Sequence, residues 1–139
     1  MMRPYPITDS VFICSDEAGA VAAFVTAGCG SIPEAALEDT FPAIEYIEEQ
    51  LCKLPYTSKA KIITKVPDPS SFGALAKRGL FVYDWQFDTN AYAKVAVPTN
   101  PIQLNALPPD LEGFAKIFNL PMHFHLNDVI NLRDYFKCL

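Results

Sequence analysis

The stretch LFVYDWQFDTNAYAKVAV, residues 80–97, constrains the fold of this chain more than any other. Two alternating runs flank Asp88-Thr89-Asn90, which is turn chemistry for a β-hairpin. Pairing Phe87 with Ala91 sets Trp85 opposite Ala93, Tyr83 opposite Val95 and Phe81 opposite Val97, so each large aromatic meets a small or branched partner. On the other face the same register pairs Gln86 with Tyr92, Asp84 with Lys94 and Val82 with Ala96. A slip of one residue would disturb both faces, which makes this register the natural expectation.

Other elements can be read around the hairpin. SVFIC (10–14) is a β-branched and aromatic run expected to be a buried strand. Ser15, Asp16 and Glu17 predict a helix opening, with acids suited to the helix dipole and Gly28-Cys29-Gly30 as its close. Ser31-Ile-Pro-Glu34 has the pattern of a capping box with proline in the first turn. Pro42 divides a short helix ending near Glu38 from a longer one over 41–53, where Ile44, Ile47, Leu51 and Leu54 recur at helical spacing. KAKIITKV (59–66) reads as a strand and SFGALAKRG (71–79) as a short helix ended by Gly79. A proline-started helix is expected over 108–118, burying Leu111, Phe114, Ile117 and Phe118, followed by a strand at PMHFHL (121–126) and a C-terminal helix from Asn127. The fold class is therefore α+β, a single domain (1–139) with a mostly antiparallel sheet of four to five strands and helices on one side.

Composition supports a packed core: half the residues are apolar, 12% are aromatic and 19% are charged, too few charges for a disordered chain. Sixteen acids against eleven bases give a net charge of −5. Its bases are scattered, and Lys59, Lys61 and Lys65 fit the outer face of one strand. Nucleic acid and anionic membrane are disfavoured as partners, whereas a basic protein surface suits this charge.

Cys14, Cys29, Cys52 and Cys138 form no C-x-x-C pair, so zinc and redox motifs lack support and free, mostly buried thiols are expected. AGAVAAFVTAGC (18–29) has the outline of a lipoprotein signal, but Asp9, Asp16 and Glu17 precede it against a single arginine, the wrong sign for a leader. The run is also too short to span a bilayer, and a cytoplasmic location is expected. No glycine pattern fits a phosphate loop.

His123 and His125 stand two apart and would share one face of a strand. Zinc catalysis needs three protein ligands and the chain has no third histidine, so the pair reads as the wet face of that strand, with no metal and no cofactor expected. An alternative is a small enzyme using His123 and His125 with a metal, or one of them as base to Cys29. Ser31 as a nucleophile is already accounted for by capping, and FVYDWQF (81–87) reads as core before it reads as an exposed stacking platform.

The remaining feature is acidic: Glu34, Glu38 and Asp39, then Glu45, Glu48 and Glu49, which fall largely off the apolar stripe. It is either a solvated helix face or a recognition surface for a cationic protein. In size, acidity and lack of catalytic motifs the chain resembles the small single-domain immunity and antitoxin proteins. That resemblance implies a non-enzymatic inhibitor that binds and neutralises a partner toxin or effector in the cytoplasm.

Overall fold

A computed structural model describes residues 9–38 and 42–139. The β-branched and aromatic run near the N-terminus forms β1 (Val11–Ser15), as expected. The following segment corrects the helix reading, because it forms a second strand, β2 (Val21–Val25), antiparallel to β1 with Phe12 opposite Phe24 and Ser15 opposite Val21. Asp16 is responsible for the reversal. Its Oδ1 accepts the backbone N–H of Ala18 and of Ala20, each at 2.9 Å, and Gly19 turns the chain at φ 81°. A carboxylate that satisfies its own turn competes with helix formation, and β2 is buried along its whole length. In that setting a continuous apolar run becomes a strand despite the helix propensity of alanine.

Ser31-Ile-Pro-Glu34 yields only a 3-10 turn, Glu34–Leu37, preceded by Pro33 and without a side-chain cap. The Ser31 hydroxyl is buried and has no hydrogen-bond partner among the described residues, so its expected capping role is not realised. Gly30 permits the approach of Tyr92, whose hydroxyl donates to the Ser31 carbonyl at 2.8 Å; a Cβ on Gly30 would lie 2.6 Å from that hydroxyl. A 3-10 turn at Ile44–Tyr46 then runs into α1 (Ile47–Leu51), shorter than the helix expected over 41–53, whose first residue lies outside the described ones. Its predicted stripe holds: Ile44, Ile47, Leu51 and Leu54 are all buried.

Only Ala60–Ile62 of the strand expected at 59–66 is formed, as β3, and Lys59, Lys61 and Lys65 are exposed beside it. After α2 (Ser70–Ala76), Gly79 takes φ 93° at the point where its carbonyl accepts the N–H of Ile102 at 2.9 Å. The hairpin follows as β4 (Phe81–Gln86) and β5 (Ala91–Pro98). A further helix, α3 (Pro109–Ile117), buries Leu111, Phe114 and Ala115, with Phe118 buried just beyond it, but Ile117 is 57% exposed and not in the core.

The C-terminal expectations are corrected twice. Residues 121–126 are no strand: His123 is extended and Phe124–Leu126 form a 3-10 turn. In place of a helix from Asn127 there is a two-residue strand, β6 (Val129–Ile130), and a 3-10 turn at Leu132–Asp134. The Phe124 N–H donates to Asp16 Oδ2 at 2.9 Å, and its carbonyl accepts from Lys94 Nζ at 2.7 Å and from the Tyr83 hydroxyl at 3.1 Å. With its peptide groups satisfied by side chains, this segment needs no ladder.

The sheet order is β1-β2-β4-β5-β3. β2 and β4 run parallel and the other pairs antiparallel, while β3 and β6 divide between them the edge of β5 that faces away from β4. This is the α+β class read from the sequence, with six strands in one mostly antiparallel sheet. One face is an aromatic layer: Phe12 stacks on Phe24 at 5.5 Å, Phe24 on Tyr83 at 5.1 Å, and the Phe124 ring lies 5.9 Å from both Phe81 and Tyr83. α1 and α3 contact β1, and α2 contacts β3, β4 and β5.

Asp16 is 3% exposed and carries three backbone N–H donors from two distant segments. Asp16→Ala is expected to lower unfolding free energy by at least ~2 kcal/mol in urea titrations, since buried donors lose their acceptor. Asp128→Ala removes a carboxylate that is 86% exposed beside Lys94 and should cost less than ~1 kcal/mol. Equal losses in the two variants would show that the Asp16 contacts do not organise the fold.

Candidate acidic binding face

The site begins with a register. β4 and β5 pair as Gln86 with Ala91, Trp85 with Tyr92, Asp84 with Ala93 and Tyr83 with Lys94. That is one residue away from the expected pairing at every one of these positions. A bulge between Val82 and Tyr83 then restores the expected Val82–Ala96 pair and leaves Val95 as the extra residue. The loop spans four residues, 87–90, with Asn90 at φ 51°, a conformation that asparagine tolerates. The slip sets the Trp85 and Tyr92 rings against each other at 5.1 Å and leaves Phe87 64% exposed.

The slip also separates Asp84 from the lysine it was expected to meet. Lys94 turns to the aromatic face, where it is 5% exposed, bonded to the Phe124 carbonyl and 3.3 Å from Asp128. Asp84 points to the other face, opposite Ala93 and next to Val25. Burial, and then the charge of Asp9, pushes its carboxyl up to about 6. Glu48 on α1 is raised for the same two reasons, burial first and Asp9 second. Asp9 is held near both by its Oδ1, which accepts the N–H of Ala27 at 2.9 Å. Among the described residues no cation forms an ion pair with Asp9, Glu48 or Asp84.

The other acids expected from the sequence divide. Glu45 and Glu49 are exposed on the same helical stretch as Glu48. Glu38 is exposed at the end of its 3-10 turn, and Asp39 lies outside the described residues. Glu34 is drawn instead to the C-terminal segment, with its carboxylate 3.7 Å from Lys137. Asp9 and Asp84 were missed by sequence reasoning. Asp84 could have been found only from the true register, because the expected one gives it a lysine.

The histidines are neighbours, but not as strand residues. Their rings lie 5.6 Å apart because extended His123 is followed by the turn that carries His125, and His123 Nε2 faces Glu17 at 3.5 Å. Among the described residues no three His, Cys, Asp or Glu groups are placed to hold a metal ion. Cys29 is exposed in a separate pocket lined by Trp85, Thr89, Asn90, Asn131 and Arg133, so neither imidazole lines the pocket that holds it. All four cysteines are free, but they are not mostly buried as expected: only Cys14 is buried, its thiol pushed well up by that burial, Cys138 is half-buried, and Cys29 and Cys52 are exposed. In FVYDWQF, Phe81, Val82, Tyr83 and Trp85 are core residues, as read.

Among the described residues no helix is long and apolar enough to cross a membrane. No family model, curated protein or solved structure matches the chain.

The raised carboxyl of Asp84 sets a pH dependence. In the folded chain it keeps its proton up to about pH 6, against 3.8 for an unhindered group. Its contribution favours folding below about pH 4 and is lost as pH rises through about 6. Asp84→Asn should therefore raise Tm at pH 7.5 relative to the parent chain, and the gain should vanish by pH 4. A gain that is the same at both values would remove Asp84 titration as its cause.

Proposed function

We propose that this chain is a non-enzymatic binding protein whose Asp9–Glu48–Asp84 face, extended by Glu45 and Glu49, receives a basic surface of a protein partner. The supporting observation is that Asp84 and Glu48 are held near Asp9 with their pKa values raised, without an ion-pair partner among the described residues. A lysine or arginine brought by a partner favours the charged carboxylates against the burial that chiefly raises them and the smaller repulsion from Asp9, and charge complementarity also speeds encounter and selects the partner. An immunity or antitoxin-type inhibitor, neutralising a toxin or effector in the cytoplasm, is the form of binding protein that fits the size and acidity of the chain. The acids that sequence reasoning grouped with this face, Glu34, Glu38 and Asp39, stand apart from its centre in the proposal, and Glu34 already faces Lys137.

A native mass spectrum of the chain, purified gently from its own host, is expected to show a stoichiometric protein partner. With that partner in hand, Glu45→Lys combined with Glu48→Lys should weaken the complex by about tenfold or more, chiefly through a slower and less salt-dependent association. Affinity should also rise between pH 5 and pH 7, because Asp84 must give up its proton to meet a cation. A partner whose affinity ignores both the reversals and the pH would rule out the acidic face as its docking surface.

A further inference from the structure

We infer that the pocket beside Trp85 is a binding site for a small organic anion carrying a carboxylate or phosphate group. The cavity is about 410 Å³ and opens between the tip of the β4–β5 hairpin and the C-terminal turn, lined by Cys29, Trp85, Thr89, Asn90, Asn131 and Arg133. Among the described residues its lining holds one cation and no carboxylate, in a chain whose net charge is −5.

The hydrogen-bonding capacity that remains is mostly of one kind. Asn131 has committed its Oδ1 to the backbone N–H of Arg133 at 3.1 Å, which leaves its amide N–H groups to donate. The Arg133 guanidinium spends one N–H on a long 3.4 Å contact to the main-chain oxygen of Leu139 and retains the rest of its donor fork. Trp85 is 8% exposed and lines the pocket with an indole whose N–H can only donate. Asn90, held at φ 51°, and Thr89 bring further polar groups from the hairpin tip.

Donors that line one cavity with a guanidinium, with no acidic group among its described lining residues, are complementary to an oxyanion. The indole and the Cys29 side chain add some carbon and sulfur surface to a mainly polar lining, against which the organic part of such an anion can rest. Trp85 and Asp84 are adjacent in β4 and project to opposite faces, so this pocket is separate from the acidic face and does not depend on the role proposed for it.

Trp85 is the only tryptophan, so its emission reports on the pocket directly. The full chain is titrated with sodium succinate and, separately, with sodium phosphate, at constant ionic strength set with sodium chloride. A saturable change in emission with one of the two is the expected result, and the one that acts names the head group. Arg133→Gln should weaken that binding by about tenfold or more, and in an amide NMR spectrum of the parent chain the shifts should centre on the Trp85 indole and the Asn90 and Asn131 side chains. The absence of saturation with either anion, or equal affinity in a folded Arg133→Gln chain, would overturn the assignment.

Discussion

The carboxylate of Asp16 is the point on which the three parts of this chain converge. One oxygen closes the β1–β2 turn through Ala18 and Ala20, and the other holds the N–H of Phe124, more than a hundred residues away. At the next peptide group of the same residue, Lys94 and Tyr83 from the central hairpin hold the Phe124 carbonyl, and Tyr83 also reaches the carbonyl of Asn127. The ring of Phe124 then lies against Phe24, Phe81 and Tyr83. A buried acid and a buried lysine are costly alone. Here Asp16 is satisfied by its own turn and by the Phe124 N–H, and Lys94 by the Phe124 carbonyl and Asp128, and the N-terminal hairpin, the central hairpin and the C-terminal segment are fixed to one another as a result.

The same lysine explains the acidic face. A regular hairpin would put Lys94 opposite Asp84 and neutralise it. The slip of one residue turns Lys94 inward to Phe124 and gives Asp84 an alanine for a neighbour. The bulge at Val82/Tyr83 recovers the lost residue, so the far end of the hairpin packs as the alternating pattern requires. Core cohesion and the separation of Asp84 from Lys94 are therefore two consequences of one register. Reverting the register would weaken the clamp on Phe124 and quench the carboxylate at once.

What could be read from the sequence follows what is local. The stripe of Ile44, Ile47, Leu51 and Leu54, the start of α3 at Pro109 and the existence of the hairpin all rest on spacing within a few residues, and all hold. β2 was misread because alanine propensity and the acids before it describe a helix, while burial on both faces of a sheet decides for a strand. The C-terminal segment was misread because its peptide groups are taken by Asp16, Lys94 and Tyr83, none of them close in sequence. Glu48 was visible as an exposed acid, but its meeting with Asp9, and Asp9 with Asp84, depends on α1 and β1 docking on the sheet.

Adjacent residues of β4 divide the chemistry of the surface. Asp84 looks to the face where carboxylates accumulate, and Trp85 to the side where donors do. In a strand this separation needs only the alternation of side chains, and because Asp84 is paired with Val25 and Ala93 and Trp85 with Tyr92, neither residue can rotate to the other face without breaking a ladder. A carboxylate and a wall of a donor-lined pocket can thus sit one residue apart on opposite faces of the strand. A ligand at one face and a partner at the other would meet through a rigid strand, so any coupling between them has to pass through the register of the hairpin, the one feature that both sites share.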